Sequence, residues 1–102
     1  MKTWETLQSE LCEILGSDHV YYQPPESIKM VYPCIVINLS SADHKWAGDK
    51  LFFYENRYEL IYMTKDPEST LREDIVKHFP MCVLDRHYVV NNLYHDIFTL
   101  FW

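Results

Sequence analysis

Glycine and positive charge are both scarce in this chain. It has 2 Gly in 102 residues, and 9 Lys and Arg against 15 Asp and Glu, a formal net charge of −6. Gly16 and Gly48 are too few and too far apart for a glycine-rich phosphate cradle. With only 5 Pro beside them, they also exclude a collagen-like or low-complexity chain. The acid excess and the scattered cations argue against sequence-reading nucleic-acid binding, which needs Lys and Arg to neutralise phosphates. No apolar run approaches the ~20 residues that cross a bilayer. Glu10 and Glu13 interrupt the N-terminal region, so no secretory leader and a cytoplasmic site of synthesis are expected. The three cysteines, Cys12, Cys34 and Cys82, are odd in number, far apart and set in apolar stretches. Free, mostly buried thiols are expected. No Cys-x-x-Cys or His-x-x-x-His spacing occurs. Cys82, His87 and His95 are too irregularly placed for a metal site, and no cofactor is expected.

Apolar residues, by contrast, are plentiful, at 48% of the chain, with 3 Trp, 8 Tyr and 5 Phe. That supply offsets the ordering entropy and excludes a disordered chain. The length fits one domain over residues 1–102, with no repeat and no linker. Trp4, Leu7, Leu11 and Ile14 recur at helical steps, and Thr3 and Gly16 suit the two caps, which predicts a helix over 4–15 with its stripe in the core. Val20-Tyr21-Tyr22 reads as a short extended piece before Pro24-Pro25, and 26–32 as a connector. Cys34 to Leu39 is apolar on both faces, a strand covered on both sides. Residues 40–49 read as a loop or the tip of a long hairpin, and 51–64 as a long strand with a break near Glu55-Asn56. Asp66-Pro67-Glu68 predicts a helix start, giving a second helix over 67–78 that Pro80 stops. Strands over 81–90 and 93–102 are joined at Asn91-Asn92, a pair suited to a type I′ turn. That hairpin sets His87 opposite Asp96, Tyr88 opposite His95 and Asp85 opposite Phe98. The expected fold is α+β in the order α-β-β-α-β-β, a mostly antiparallel sheet of about four strands.

By this register Asp85, His87 and Asp96 share one face of the last hairpin. A carboxylate beside an imidazole can orient a general base or steady a metal ligand. The plainer reading is a cross-strand ion pair worth about 0.2–1 kcal/mol. No nucleophile with a local signature accompanies the three, so the expectation is a structural ion pair and no enzyme. The remaining candidates are surface residues. Trp46 sits in a polar segment beside His44, and Trp102 ends the chain; exposed Trp is a favoured interface anchor. Glu55, Arg57 and Glu59 form one charged strand face beside the 41–50 segment.

Several segments together resemble a known family. They are Tyr22-Gln23-Pro24-Pro25-Glu26-Ser27, Tyr32-Pro33-Cys34-Ile35-Val36, Lys65-Asp66-Pro67-Glu68-Ser69-Thr70, Asp85-Arg86-His87-Tyr88, and Asn92-Leu93-Tyr94-His95-Asp96-Ile97-Phe98-Thr99-Leu100-Phe101. The series is similar to tail-completion or tail-terminator proteins of long-tailed bacteriophages and prophages of Gram-positive bacteria. The resemblance implies an α+β subunit assembled as a homo-oligomeric ring, often of six copies. The ring caps the tail-tube protein and docks to the head connector protein. DNA passes through it without sequence-specific binding. The implied location is the virion tail or neck, and the host cytoplasm during assembly. No catalytic residue, cofactor or membrane partner comes with it. Two other classes stand beside this one: a small cytoplasmic interaction or regulatory module of a phage or mobile element acting as a dimer, and a small hydrolase using Asp85, His87 and Asp96.

Overall fold

A computed structural model describes residues 3–25, 27–48 and 50–102, with the backbone alone described at 43–47 and 51–55. Helix α1 spans Trp4–Leu15. The Thr3 hydroxyl accepts the Thr6 N–H at its start, satisfying one of the helix's orphan donors. Gly16 closes its end at φ 79° and sends its N–H to the Cys12 carbonyl. A left-handed residue there is strained for anything with a Cβ. Helix α2 spans Leu71–His78, four residues later than Asp66-Pro67-Glu68 suggests. The Asp66 carboxylate instead accepts the Glu68 N–H at 2.9 Å. It closes a local turn, the alternative that Asp side chains offer to helix initiation.

The sheet has five strands in the order β1-β2-β3-β5-β4, formed by β1 (Val20–Tyr22), β2 (Cys34–Ala47), β3 (Lys50–Thr64), β4 (Cys82–Val90) and β5 (Leu93–Phe101). The expectation of about four strands in the order α-β-β-α-β-β is corrected to α-β-β-β-α-β-β. The difference is β1. Three residues are too short to announce themselves by periodicity, but they pair parallel to β2, Val20 with Ile35 and Tyr22 with Ile37, which makes the sheet mixed. The Gln8 side chain donates to the Val20 carbonyl at 2.8 Å and ties this strand to α1.

Residues 40–47 are strand, and the segment expected as a loop or hairpin tip is, over its described residues 40–48, the end of a long hairpin. Ala47 pairs with Lys50, and Gly48 turns at φ 67°. The register shifts have their extra residues at Ser40 in β2, opposite Arg57 and Tyr58, and at Phe52 in β3, so β3 itself runs unbroken through Glu55-Asn56. At ~3.3 Å per residue, strands of 14 and 15 residues account for the 51 Å long axis of the molecule. β5 accompanies β3 only as far as the Arg57–Phe101 pair, and β1 accompanies β2 only over 35–37. The Trp102 N–H still reaches the Asn56 carbonyl at 3.0 Å, and residues 41–47 and 50–55 continue as a two-stranded arm beyond the five-stranded sheet.

Both helices lie on one sheet face. Leu7 and Leu11 of α1 and Ile75 of α2 pack on Ile35, Ile37, Leu60, Phe98 and Leu100, all fully buried. Trp4 and Ile14 join the same cluster at its margin, as the helical stripe predicts. Trp4 stacks on Tyr22 at 4.3 Å. A smaller cluster on the opposite face joins Cys34, Val36 and Met63 to Met30 and Tyr32 of the connector. Phe98→Ala, at the centre of the helix-side core, should lower the unfolding free energy by about 3–5 kcal/mol, read as a lower urea midpoint at unchanged m.

Candidate functional site

The sheet sorts the expected cluster differently from an unbroken strand. His87 lies opposite Asp96 and Tyr88 opposite His95, as the Asn91-Asn92 turn predicts; both asparagines have positive φ, 52° and 62°. Beyond Arg86 the register slips, and Leu84, not Asp85, faces Phe98. Asp85 is thus the extra residue of a β-bulge, which changes the face of everything before it. His87 and Asp96 point to the helix side, while the Asp85 carboxylate accepts a hydrogen bond from the Thr99 hydroxyl on the opposite face. The shared face expected for Asp85, His87 and Asp96 is therefore corrected to a pair plus one.

The third member of the cluster is Arg72, from the first turn of α2. Asp96 is buried, with its side chain 5% exposed, and its Oδ1 lies 2.5 Å from His87 Nδ1 and 3.5 Å from Arg72 Nη1. A carboxylate only accepts, so Nδ1 carries the proton and Nε2 is the acceptor of the neutral ring. The 3.5 Å between Arg72 Nη1 and His87 Nδ1 is then two donors meeting at one oxygen. Sequence spacing hides Arg72, because it lies 24 residues from Asp96 and on another element. The only advance signal is that Arg72 falls in the helix expected over 67–78, directly before the last hairpin in the chain.

An Asp–His pair of this kind can orient a general base. The nearby hydroxyl chemistry serves folding instead: Ser69 Oγ sits 2.8 Å from Tyr62 Oη and accepts the Leu71 N–H at the start of α2. His87 stacks on Tyr94. The cluster joins α2 to β4 and β5 by charge-assisted bonds. Among the described residues no group of three or more His, Cys, Asp or Glu gathers as metal ligands, and no helix is long and apolar enough to cross a membrane.

The surface candidates fall in three places. Trp102 turns back onto the domain: its indole N–H donates to the Thr3 carbonyl at 2.9 Å and its ring meets Phe79 edge-on. Arg57 is half-buried, with its guanidinium 5.0 Å from the Phe101 ring centre. Glu59 lies on the same face, opposite Asn38 and Thr99. Trp46, His44 and Glu55 belong to the arm by their backbone, and their side chains lie outside the described residues.

Two further features carry no sequence motif. A groove of about 340 Å³ opens on the face away from the helices, between Pro24, Ile28 and Met30 of the connector and Tyr88 and His95 of the last hairpin, with Val36, Ile61 and Met63 as its floor. Among the described residues no strand lies beyond β4, the last in the sheet order, and only Cys82 of its residues is less than exposed. Val83 is 58% exposed, and Met81, Val89 and Val90 are about as open. Comparison with protein-family models, curated proteins and solved structures finds no match.

The three cysteines are free. Burial raises the Cys34 thiol to about 11, and burial with the nearby Asp85 charge does the same to Cys82. A thiol whose native pKa exceeds its unfolded value of 9.0 stabilises the fold below pH 9. That contribution is lost as the pH climbs toward 11, because the unfolded chain ionises first. Chemical-denaturation midpoints should therefore fall between pH 9 and 11, and a Cys34→Ala, Cys82→Ala variant should show a shallower decline. Asp96→Ala should lower stability by about 1–3 kcal/mol by stranding two donors, and Asp96→Asn, which keeps one acceptor, by less. Thermal melts of the two variants give the comparison.

Proposed function

We propose that this chain is a structural subunit of a virion, a tail-terminator or head–tail joining protein that works as a homo-oligomeric ring. The observation that carries the reading is the arm. Residues 41–47 and 50–55 leave the sheet as a ribbon two strands wide, with no third strand on either side among the described residues. In sequence the ribbon holds Trp46, Leu51, Phe52, Phe53 and Tyr54. An isolated two-stranded ribbon is marginal in water, and five large apolar residues within it are what an arm that docks on another chain requires.

A projecting arm and the body it docks on are two unlike patches on one subunit. That is the arrangement a closed cyclic ring needs. The resemblance noted above supplies the setting: a ring, six-fold in the expectation, that ends the tail tube and faces the head connector. The net charge of −6 suits a lumen through which DNA slides, since like charge prevents adhesion to the phosphate backbone. Glu55, Arg57 and Glu59, on the strand that leads into the arm, are the proposed charged rim of the ring contact.

The test is assembly on tail tubes of the phage or prophage that encodes the chain. Added protein should appear by electron microscopy as a cap on one end of each tube. Trp46→Ala should reduce its co-sedimentation with tubes, and Arg57→Glu should shift the ring toward monomer in sedimentation velocity while the circular dichroism stays native. Bare tube ends, or equal co-sedimentation of wild type and Trp46→Ala, overturn the reading.

A further inference from the structure

β4 is a nine-residue edge strand whose outer ladder pairs with no strand among the described residues. Edges of this length are normally blunted by lysine, proline or a covering element. β4 has no Lys or Pro, and Val83, Leu84, Tyr88, Val89 and Val90 are all more than a third exposed. Its one irregularity is the bulge at Asp85.

That bulge determines what can pair with the edge. Cys82 and Leu84 face the helix side, opposite Leu100 and Phe98. Past Asp85 the parity changes, and His87 and Val89 face the helix side, opposite Asp96 and Tyr94. Val83, Arg86 and Tyr88 face the other way, with the Arg86 guanidinium 5.7 Å from the Tyr88 ring centre, and Asp85 joins them through Thr99. In an antiparallel pair, residues directly opposite must share a face. If β4 is laid against another β4, only a register centred between Asp85 and Arg86 meets this condition along the whole strand. Cys82 then meets Val89, Val83 meets Tyr88, Leu84 meets His87, and Asp85 meets Arg86, each pair occurring twice. A shift of two residues in either direction sets a helix-side residue against an opposite-face one at the axis. The single register that matches faces is also the one that sets opposite charges against each other at its centre and, beyond the Leu84–His87 pairs, Val83 against Tyr88 and Cys82 against Val89 on both sides.

We propose that β4 pairs with β4 of a second copy of this chain about a two-fold axis between Asp85 and Arg86, joining two five-stranded sheets into one with all four helices on the same side. The two bulges oppose each other at the axis, so the ladder keeps count across it. The pairing uses no residue of the arm. It goes beyond the ring reading and is independent of it: the arm contact is head-to-tail, whereas this contact is isologous and closes at two copies.

The experiment uses charge reversal on the full chain. Wild type should show a concentration-dependent dimer step in sedimentation velocity. Asp85→Lys sets a cation against Arg86 of the second copy at both central pairs, and Arg86→Glu sets an anion against Asp85. Each variant alone should weaken the step about ten-fold or more, given the sign change at two cross-strand pairs. An equimolar mixture of the two variants restores opposite charges at both pairs and should recover the wild-type step. Loss of native fold cannot produce that recovery. Amide hydrogen exchange on wild type gives a second reading, in which protection along β4 rises with protein concentration. The proposal is overturned if wild type shows no dimer step, if both single variants associate as wild type does, if the mixture stays as weak as its components, or if β4 protection does not change with concentration. A six-copy ring insensitive to both substitutions overturns it as well and leaves the ring reading in place.

Discussion

Two helices must cover a five-stranded sheet, and they reach only one of its faces. At ~1.5 Å per residue, α1 and α2, of 12 and eight residues, give about 18 and 12 Å of cover, while β2 and β3 run more than twice that length. Around this shortfall the molecule divides into a dry side and an open side. Under the helices Leu7, Leu11 and Ile75 close fully over Leu60, Phe98 and Leu100. Elsewhere the apolar surface goes to the connector, which shelters Cys34, Val36 and Met63, or stays open along β4 and in the groove. A chain with 16% aromatics and so little helix has apolar surface left over, and among the described residues much of it lies along the β4 edge, where another chain can reach it.

The elements legible in sequence were those whose evidence is local. The α1 stripe, its Thr3 and Gly16 caps and the Asn91-Asn92 turn each rest on a few neighbouring residues, and each stands as expected. Elements that depend on partners were not legible. β1 exists because His19 and Gln23 bracket three residues held against β2, with the Ile35 N–H donating to the His19 carbonyl and the Gln23 N–H to that of Ile37. The start of α2 moved because the Asp66 side chain bonds its own turn. No local pattern decides between that turn and a cap, since the same carboxylate serves both.

The candidate site shows the same division. The His87–Asp96 pair follows from counting outward from a two-residue turn. Arg72, which completes the cluster, follows only from the docking of α2 on β4 and β5. Asp85 fell on the other face because one unpaired residue reverses the alternation on which such counting rests. A bulge leaves no residue-type signature here: Leu84-Asp85-Arg86 reads like any other strand interior.

That extra residue also has a consequence for assembly. A regular edge strand pairs with its own copy in several even registers, none favoured by face matching, and such an edge is open to slippage and aggregation. Shifting the parity at Asp85 leaves one register in which both faces agree, and the residues at its centre carry opposite charge. The bulge is therefore selective. It blunts the edge against strands that lack a matching insertion and admits the one strand certain to have it, β4 of another copy. Such an isologous contact is finite, so it protects nine residues of exposed backbone without opening a route to fibres. The proposed pairing also uses no residue of the arm, so it does not compete with the head-to-tail contact proposed for the ring.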